Sequence, residues 1–331
     1  MNLLENIEYI GKLEKVNHQQ VIRDYFIGII ASIANEVNDA LRRPDDVKPV
    51  ILGGISLRKG HIPSSPRYTP DIDFESNAYF YDRNDKKPII NYKEFLKEVA
   101  SLLSKKIKSI YGNSYEINPA VVKLIEPTDN YGNKFGSLKG KIVIPEFMGW
   151  KNIVIKNETS TKKKTTFLPT VNLDVQHNFI DKEELNLSQI TVPALVNTLG
   201  NKVYSSLDRM SSDDAKSRFS RLKDVFDIWL IDKNANISVE DFNYIFSERI
   251  KVEKEKDVQR VLSLIQDLRK NREEVFRSIF SIIEHNIKSQ KSTSDTEKMK
   301  RMTKGLIDSY NFPSSNELIN NFMKYINLLE I

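Results

Sequence analysis

Apolar residues in the first forty positions recur every three to four places. Val21, Tyr25, Ile29, Ile33 and Val37 fall on one side of a helix, and the stretch to residue 43 reads as helical, ended by Pro44 and Asp45-Asp46. The period then shortens. "KPVILGG" (48–54) is an apolar run of strand length closed by two glycines, and "DIDFES" (71–76) alternates polar and apolar positions as a strand does. "NYKEFLKEVASLLSKKIKSIYG" (91–112) returns to the helical period. Residues 113–180 hold short β-branched runs divided by Gly, Pro, Asn and Lys, with "STKKKTT" (160–166) as an expected hairpin tip. From about residue 190 the pattern is helical again, starting with "TVPALVNTLGNKVYSSLDRM" and "RLKDVFDIWL". "KSQKSTSDTEK" (288–298) is polar and low in complexity and reads as a linker before two last helices. The pattern predicts an α/β domain over residues 1–188 and an all-helical domain over 189–331.

Composition narrows the chemistry. The 331 residues include no cysteine, so disulfide frameworks and thiolate metal sites are excluded. The four histidines (His18, His61, His177 and His285) lack metal-ligand spacing, which argues against zinc. No apolar run is long enough to cross a membrane and the N-terminus lacks the pattern of a signal peptide, so a cytoplasmic protein is expected. A net charge of +5 permits an anionic partner without requiring one.

The chemistry concentrates in "VILGGISLRKGHIPSSPRYTPDIDFES" (50–76). Residues i and i+2 of a strand share a face, so Asp71 and Asp73 point the same way while Ile72 and Phe74 point into packing. Two carboxylates that close repel unless a cation neutralises them. Oxygen-only ligands favour a hard cation such as Mg²⁺, and such ions commonly act as a pair in phosphoryl or nucleotidyl transfer. This reading expects a third carboxylate on a neighbouring strand, and Asp174 in "TVNLDVQHNF" is the candidate, flanked by Leu173 and Val175. The Gly53-Gly54 turn would let backbone N–H groups approach a triphosphate, with the Ser56 hydroxyl placed to join them. Taken singly, a D-x-D or a Gly-Gly is weak. In the order strand, Gly-Gly, Ser, loop, D-x-D strand and later Asp strand, the pattern is much stronger.

That order resembles the first motif of nucleotidyltransferases of the DNA polymerase β superfamily, and most of all the AbiEii/MenT-type toxins of type IV-like toxin–antitoxin and abortive-infection systems. Arg67, Thr69, Asp71 and Asp73 fill the family's places before and within the D-h-D motif. Downstream, Lys202 in "LGNKVYSSLDRM", Arg209, and Arg221, Asp224 and Asp227 in "RLKDVFDIWL" match its helical motifs, so the resemblance spans about residues 48–232. Ile55-Ser56 replaces the usual Thr-Ala after the glycines, and the loop before the aspartates is unusually rich in Pro and Ser.

The resemblance implies an α+β fold, with a polymerase β-like nucleotidyltransferase domain (a mixed sheet flanked by helices) followed by an all-helical C-terminal domain. It implies transfer of a nucleoside monophosphate from an NTP to an acceptor with release of pyrophosphate, assisted by two Mg²⁺ ions. Asp71, Asp73 and Asp174 would hold metal. Gly53, Gly54, Ser56, Arg67, Thr69 and Lys202 would hold the nucleotide. Asp224 would orient Lys202 or the nucleotide, with Asp227 bracing Arg209 or the domain junction. The implied acceptor is the 3′ end of a tRNA or another RNA, and the implied protein partner is a cognate antitoxin. Two other readings stay open: a transferase that nucleotidylates or phosphorylates a protein side chain, and a non-catalytic nucleotide-binding or scaffold protein.

Overall fold

The structure is a computed structural model. It describes residues 2–40, 49–75, 92–113, 117–125, 137–160, 170–212, 214, 218, 221–286, 294–303 and 305–330. Residues 161–166 of the expected hairpin tip (160–166) and linker residues 288–293 lie outside that set, whereas residue 160 ends a strand and residues 295–298 of the expected linker are helical.

The chain divides into two compact units, Met1–Pro193 with Ile307–Ser309, and Ala194–Leu306 with Tyr310–Ile331. The first opens with α1 (Leu3–Glu14), capped by the Asn2 side chain with Glu5 reaching back, and α2 (His18–Ala40). Lys15, in the left-handed region at φ 52°, separates them, so the single helical stretch expected from the sequence is two helices. Next come β1 (Val50–Leu52), a short α3 (Gly53–Ile55) running on as a π-helical turn (Ser56–His61), β2 (Asp71–Glu75) and α4 (Tyr92–Tyr111). The unit continues with β3 (Asn118–Ile125), β4 (Ser137–Phe147), β5 (Trp150–Ser160), β6 (Thr170–Leu173), α5 (Lys182–Leu185) and β7 (Ile190–Pro193).

Five strands form a mixed sheet in the order β1-β2-β5-β4-β3, in which only β2 and β5 run parallel. β6 and β7 form a separate antiparallel pair. Helices α2 and α4 pack on the sheet and on each other. Alternation along the strands decides what they cover. Ile72, Phe74, Ile142, Ile144, Ile153 and Ile155 are buried with Phe26, Ile29, Phe95 and Val99 of the two helices. The residues between them, including Asp71, Asp73, Lys141, Lys156 and Glu158, point to the other face and keep partial or full exposure.

The second unit is helical: α6 (Leu195–Met210), α7 (Leu222–Asn234), α8 (Val239–Lys251), α9 (Glu255–Asn286), α10 (Asp295–Met302) and α11 (Ser315–Leu328). Ser238, Ser294 and Ser314 accept the first free N–H groups of α8, α10 and α11. Leu199, Val203, Val225, Phe226, Phe246 and Phe322 are among its buried apolar residues. The molecule is thus α+β, a mixed sheet with helices followed by a helical region. Among the described residues, no helix is long and apolar enough to cross a membrane.

Candidate active site

β1 ends at Leu52, and Gly53 turns the chain straight into a helix. Its φ of +71° is a conformation that glycine adopts without strain. The helix start has no side-chain cap, because Leu52 occupies the capping position. A Cβ on Gly53 would lie 3.2 Å from Asp73 Oδ2. A Cβ on Gly54 would lie 2.4 Å from Thr69 Oγ1 and 2.8 Å from Arg67 Nη2. The second glycine is therefore needed because Arg67 and Thr69 occupy the space a side chain would fill. Both are buried, and Thr69 Oγ1 has no hydrogen-bond partner among the described residues. A buried hydroxyl beside an arginine and an uncapped helix start suits a phosphate oxygen.

The loop that delivers these two side chains is held from below. Arg58 donates through Nε to Asp24 Oδ1 at 3.2 Å and through Nη1 to the Ser65 carbonyl, and its guanidinium stacks 3.9 Å from the Tyr68 ring centre. Lys59 Nζ donates to Asp24 Oδ2 at 2.6 Å. Tyr68 in turn donates to Glu14. Burial alone would raise the Asp24 carboxyl; the Lys59 and Arg58 cations outweigh it and hold the group below its ordinary value. The loop is polar and proline-rich in sequence, yet residues 65–69 are all buried.

Asp71 and Asp73 lie two apart on β2, both partly exposed, with Ile72 and Phe74 buried between and after them. The neighbours of β2 are β1 and β5. The expected third carboxylate, Asp174, lies on neither of these strands. β6 pairs with β7 and not with β2, and Asp174 sits just past its end, exposed, accepting from Gln189 Nε2 at 3.0 Å. The acidic residue on the strand beside β2 is Glu158, directly opposite Asp73 in the parallel register. The buried Tyr92 phenol feels both: burial first, then the charges of Asp73 and Glu158, push it well above its ordinary value. Glu158 is also 3.4 Å from Lys139. Glu158 was legible in principle, because the alternation Ile153, Ile155, Asn157, Thr159 inward and Lys156, Glu158 outward continues to the strand's end.

Among the described residues, no three acidic or histidine side chains are close enough to hold a metal by themselves. The donor set of two partly exposed strand carboxylates still fits Mg²⁺, which is usually bound by one or two carboxylates together with substrate phosphates and water. Ser56 follows α3 directly. It is fully buried and its hydroxyl donates to the Gly53 carbonyl at 2.8 Å, so it closes the turn from inside. His177, expected in a strand, lies in a segment without regular structure, its ring buried beside Tyr25 and Phe179.

In the helical unit, α6 and α7 bring three of the sequence candidates together. Lys202 Nζ donates to Asp224 Oδ1 at 3.1 Å and to Asp227 Oδ2 at 2.6 Å, and all three side chains are buried. Arg221 approaches the second oxygen of Asp224 at 3.4 Å. Asp227 thus braces Lys202; Arg209, near the end of α6, is exposed. By spacing alone Lys202 reads as a solvated lysine on a polar helix face, and only the family motif points it inward.

No curated protein sequence matches this chain. Among solved structures it is similar to MenT4, a nucleotidyltransferase toxin from Mycobacterium tuberculosis H37Rv, at 14% identity and a TM-score of 0.46, covering 98% of this chain and 99% of that one. It is also similar to JHP933 from Helicobacter pylori, at 13% identity and a TM-score of 0.44, covering 95% and 94%. The family model described as nucleotidyl transferase AbiEii toxin, type IV toxin–antitoxin system, matches residues 39–314. The match contains the glycine turn, the strand carboxylates and the Lys202 group alike, and the chain belongs to the AbiEii family of nucleotidyltransferase toxins.

Proposed function

We propose that this toxin transfers a nucleoside monophosphate from an NTP to the 3′ end of a tRNA, with release of pyrophosphate and arrest of translation. The observation that carries the reading is the pairing of Asp71 and Asp73 on one face of β2, beside a glycine turn that opens a helix and is filled by Arg67 and Thr69. Asp71 and Asp73 would hold Mg²⁺, with Glu158 the nearest further carboxylate in register. When bound, Mg²⁺ supplies positive charge against the phosphate oxygens as the acceptor oxygen replaces pyrophosphate.

The chain's own groups take the remaining roles. The N–H groups at Gly53 and Gly54 and the Arg67 guanidinium bind phosphate oxygens, and the Thr69 hydroxyl, without a hydrogen-bond partner among the described residues, donates to one of them. Within the second unit, Lys202 is the cation that the family motif assigns to the nucleotide, with its ammonium fixed by Asp224 and Asp227. Glu158 is the group best placed in register to accept a proton from the acceptor hydroxyl. The family is the toxin half of a pair, so a cognate antitoxin is the implied protein partner, and the reading places the reaction in the cytoplasm.

The test is incubation of the purified protein with each labelled NTP and either total RNA or total protein, with and without Mg²⁺. Label entering small RNA only with Mg²⁺ supports the proposal. Label entering protein alone replaces it with modification of a protein side chain. Nucleotide binding without any transfer would leave a scaffold.

A further inference from the structure

Register across the sheet sets two parallel rungs of side chains on the face that carries the D-x-D pair. One reads Asp73–Glu158–Lys139 across β2, β5 and β4, and the other reads Asp71–Lys156–Lys141. The first is balanced beyond Asp73, because Lys139 Nζ reaches Glu158 at 3.4 Å. In the second, two lysines stand directly opposite each other, an arrangement that destabilises a sheet. The carboxylate in register with that pair is Asp71, the residue read above as a metal ligand. With Asp71 committed to a cation, the lysine rung calls for an anion from outside. Lys156 is exposed and Lys141 partly exposed, so one can reach them.

The position selects which anion. β1 and the Gly53-Gly54 turn lie on one side of β2, and β5 and β4 on the other. Strands are spaced about 4.8 Å apart, so the lysines stand roughly 5 and 10 Å beyond Asp71 on the side away from the turn. Phosphates bound at the turn belong to the nucleotide. Phosphates across the D-x-D pair belong to whatever receives it. The next rung, Val143 opposite Val154, is apolar and partly exposed, a floor for a ribose or base beside charges suited to a backbone.

We propose that Lys156 and Lys141 bind the sugar–phosphate backbone of a single-stranded polynucleotide acceptor just short of its reacting end. This rests on the nucleotidyltransferase reading above and assigns the acceptor a track on the protein. Lys139 is not part of it, being engaged by Glu158.

The experiment compares wild type with the double variant Lys141→Gln/Lys156→Gln. The control is Lys105→Gln/Lys108→Gln, which removes two exposed lysines from α4, the helix that packs on the opposite face. Binding of a fluorescent bacterial tRNA pool is measured between about 50 and 200 mM salt, and transfer kinetics are measured with tRNA and NTP varied in turn. Loss of two single-strand phosphate contacts should lower the slope of log affinity against log salt by about 1.4 and raise the KM for tRNA about tenfold. The KM for NTP should not change. The melting temperature should hold or rise, since a like-charge pair has gone.

An unchanged slope and KM for tRNA in the double variant overturns the proposal, as does an equal loss in the control. A rise in the KM for NTP instead assigns the lysines to the nucleotide and also overturns it. If wild-type protein binds no RNA and labels only protein, the parent reading falls and the track with it. If wild type labels RNA and the double variant matches it, only the track falls.

Discussion

Two pairs of aspartates meet the same electrostatic problem in opposite ways. Asp224 and Asp227 lie one helical turn apart on α7, are buried, and share the ammonium of Lys202. Asp71 and Asp73 lie one residue apart on one face of β2, and both stay partly exposed. The helical pair has its counter-charge built into the fold. The strand pair keeps its oxygens where an ion from solution can reach them. Proximity of carboxylates alone therefore says little about chemistry. Access says more.

The comparison is broken most severely by removing a strand carboxylate. Asp73→Asn should lower transfer by about a hundredfold to a thousandfold, with a cooperative thermal unfolding transition retained. Turnover of labelled NTP and a thermal melt on the same preparation check both halves. Wild-type turnover would remove the strand pair from catalysis.

The helical pair should respond in stability. Lys202→Met leaves two buried carboxylates without their ammonium, and an orphaned buried charge costs about 3–5 kcal/mol, readable by urea unfolding. The triple variant Lys202→Met/Asp224→Asn/Asp227→Asn should recover most of that loss, because members of one ion group are strongly non-additive. A loss below about 1 kcal/mol, as for a surface pair, would mean that the group is solvated.

Metal should tell the two pairs apart directly. Mg²⁺ at about a hundred times its dissociation constant should stabilise the wild type by about 2.7 kcal/mol if it binds only the folded state. The shift should vanish in Asp71→Asn and persist in Asp227→Asn. Equal shifts in all three proteins would erase the distinction.

A pH-dependent effect concerns a neutral ring near the other buried ion group. His177 is buried against Gly28, Tyr25 and Phe179, with neither ring nitrogen hydrogen-bonded among the described residues. Burial first, and then the Lys59 charge, depress its pKa to about 3. The ordinary value is 6.5, so the unfolded chain binds the proton more readily, and stability falls as pH drops from 6.5 toward 3. The slope reaches at most about 1.4 kcal/mol per pH unit. His177→Phe should flatten the melting temperature between pH 4 and 7; an unchanged slope would place the acid sensitivity elsewhere.

Local pattern made much of this molecule legible. Period two identified β2 and the shared face of Asp71 and Asp73. Period three to four identified α2, α4 and the helical second unit. Pairing is not a local property, and there the reading failed. Leu173 and Val175 gave Asp174 the look of a strand interior, but β6 ends at Leu173 and pairs with β7. Glu158 is inconspicuous in a run ending Lys-Asn-Glu, because its meaning depends on β5 lying parallel to β2. Ser56 was placed correctly along the chain, but its hydroxyl faces inward to Gly53. The burial of Lys202 contradicts its polarity, and only a motif could have signalled it.

One short segment bears on how the protein is made. Ile307–Ser309 belongs to the first unit although it follows most of the second in sequence. The Ile307 N–H donates to the carbonyl of Pro66 at 2.8 Å, in the loop that carries Arg67 and Thr69. During synthesis that loop lacks this bond until residue 307 has left the ribosome. A chain terminated early, or one cut back at Pro193, would present the glycine turn and the carboxylate strand without the strap that secures the loop beside them. The loop beside the glycine turn is in this way tied to a residue that follows most of the second unit in sequence.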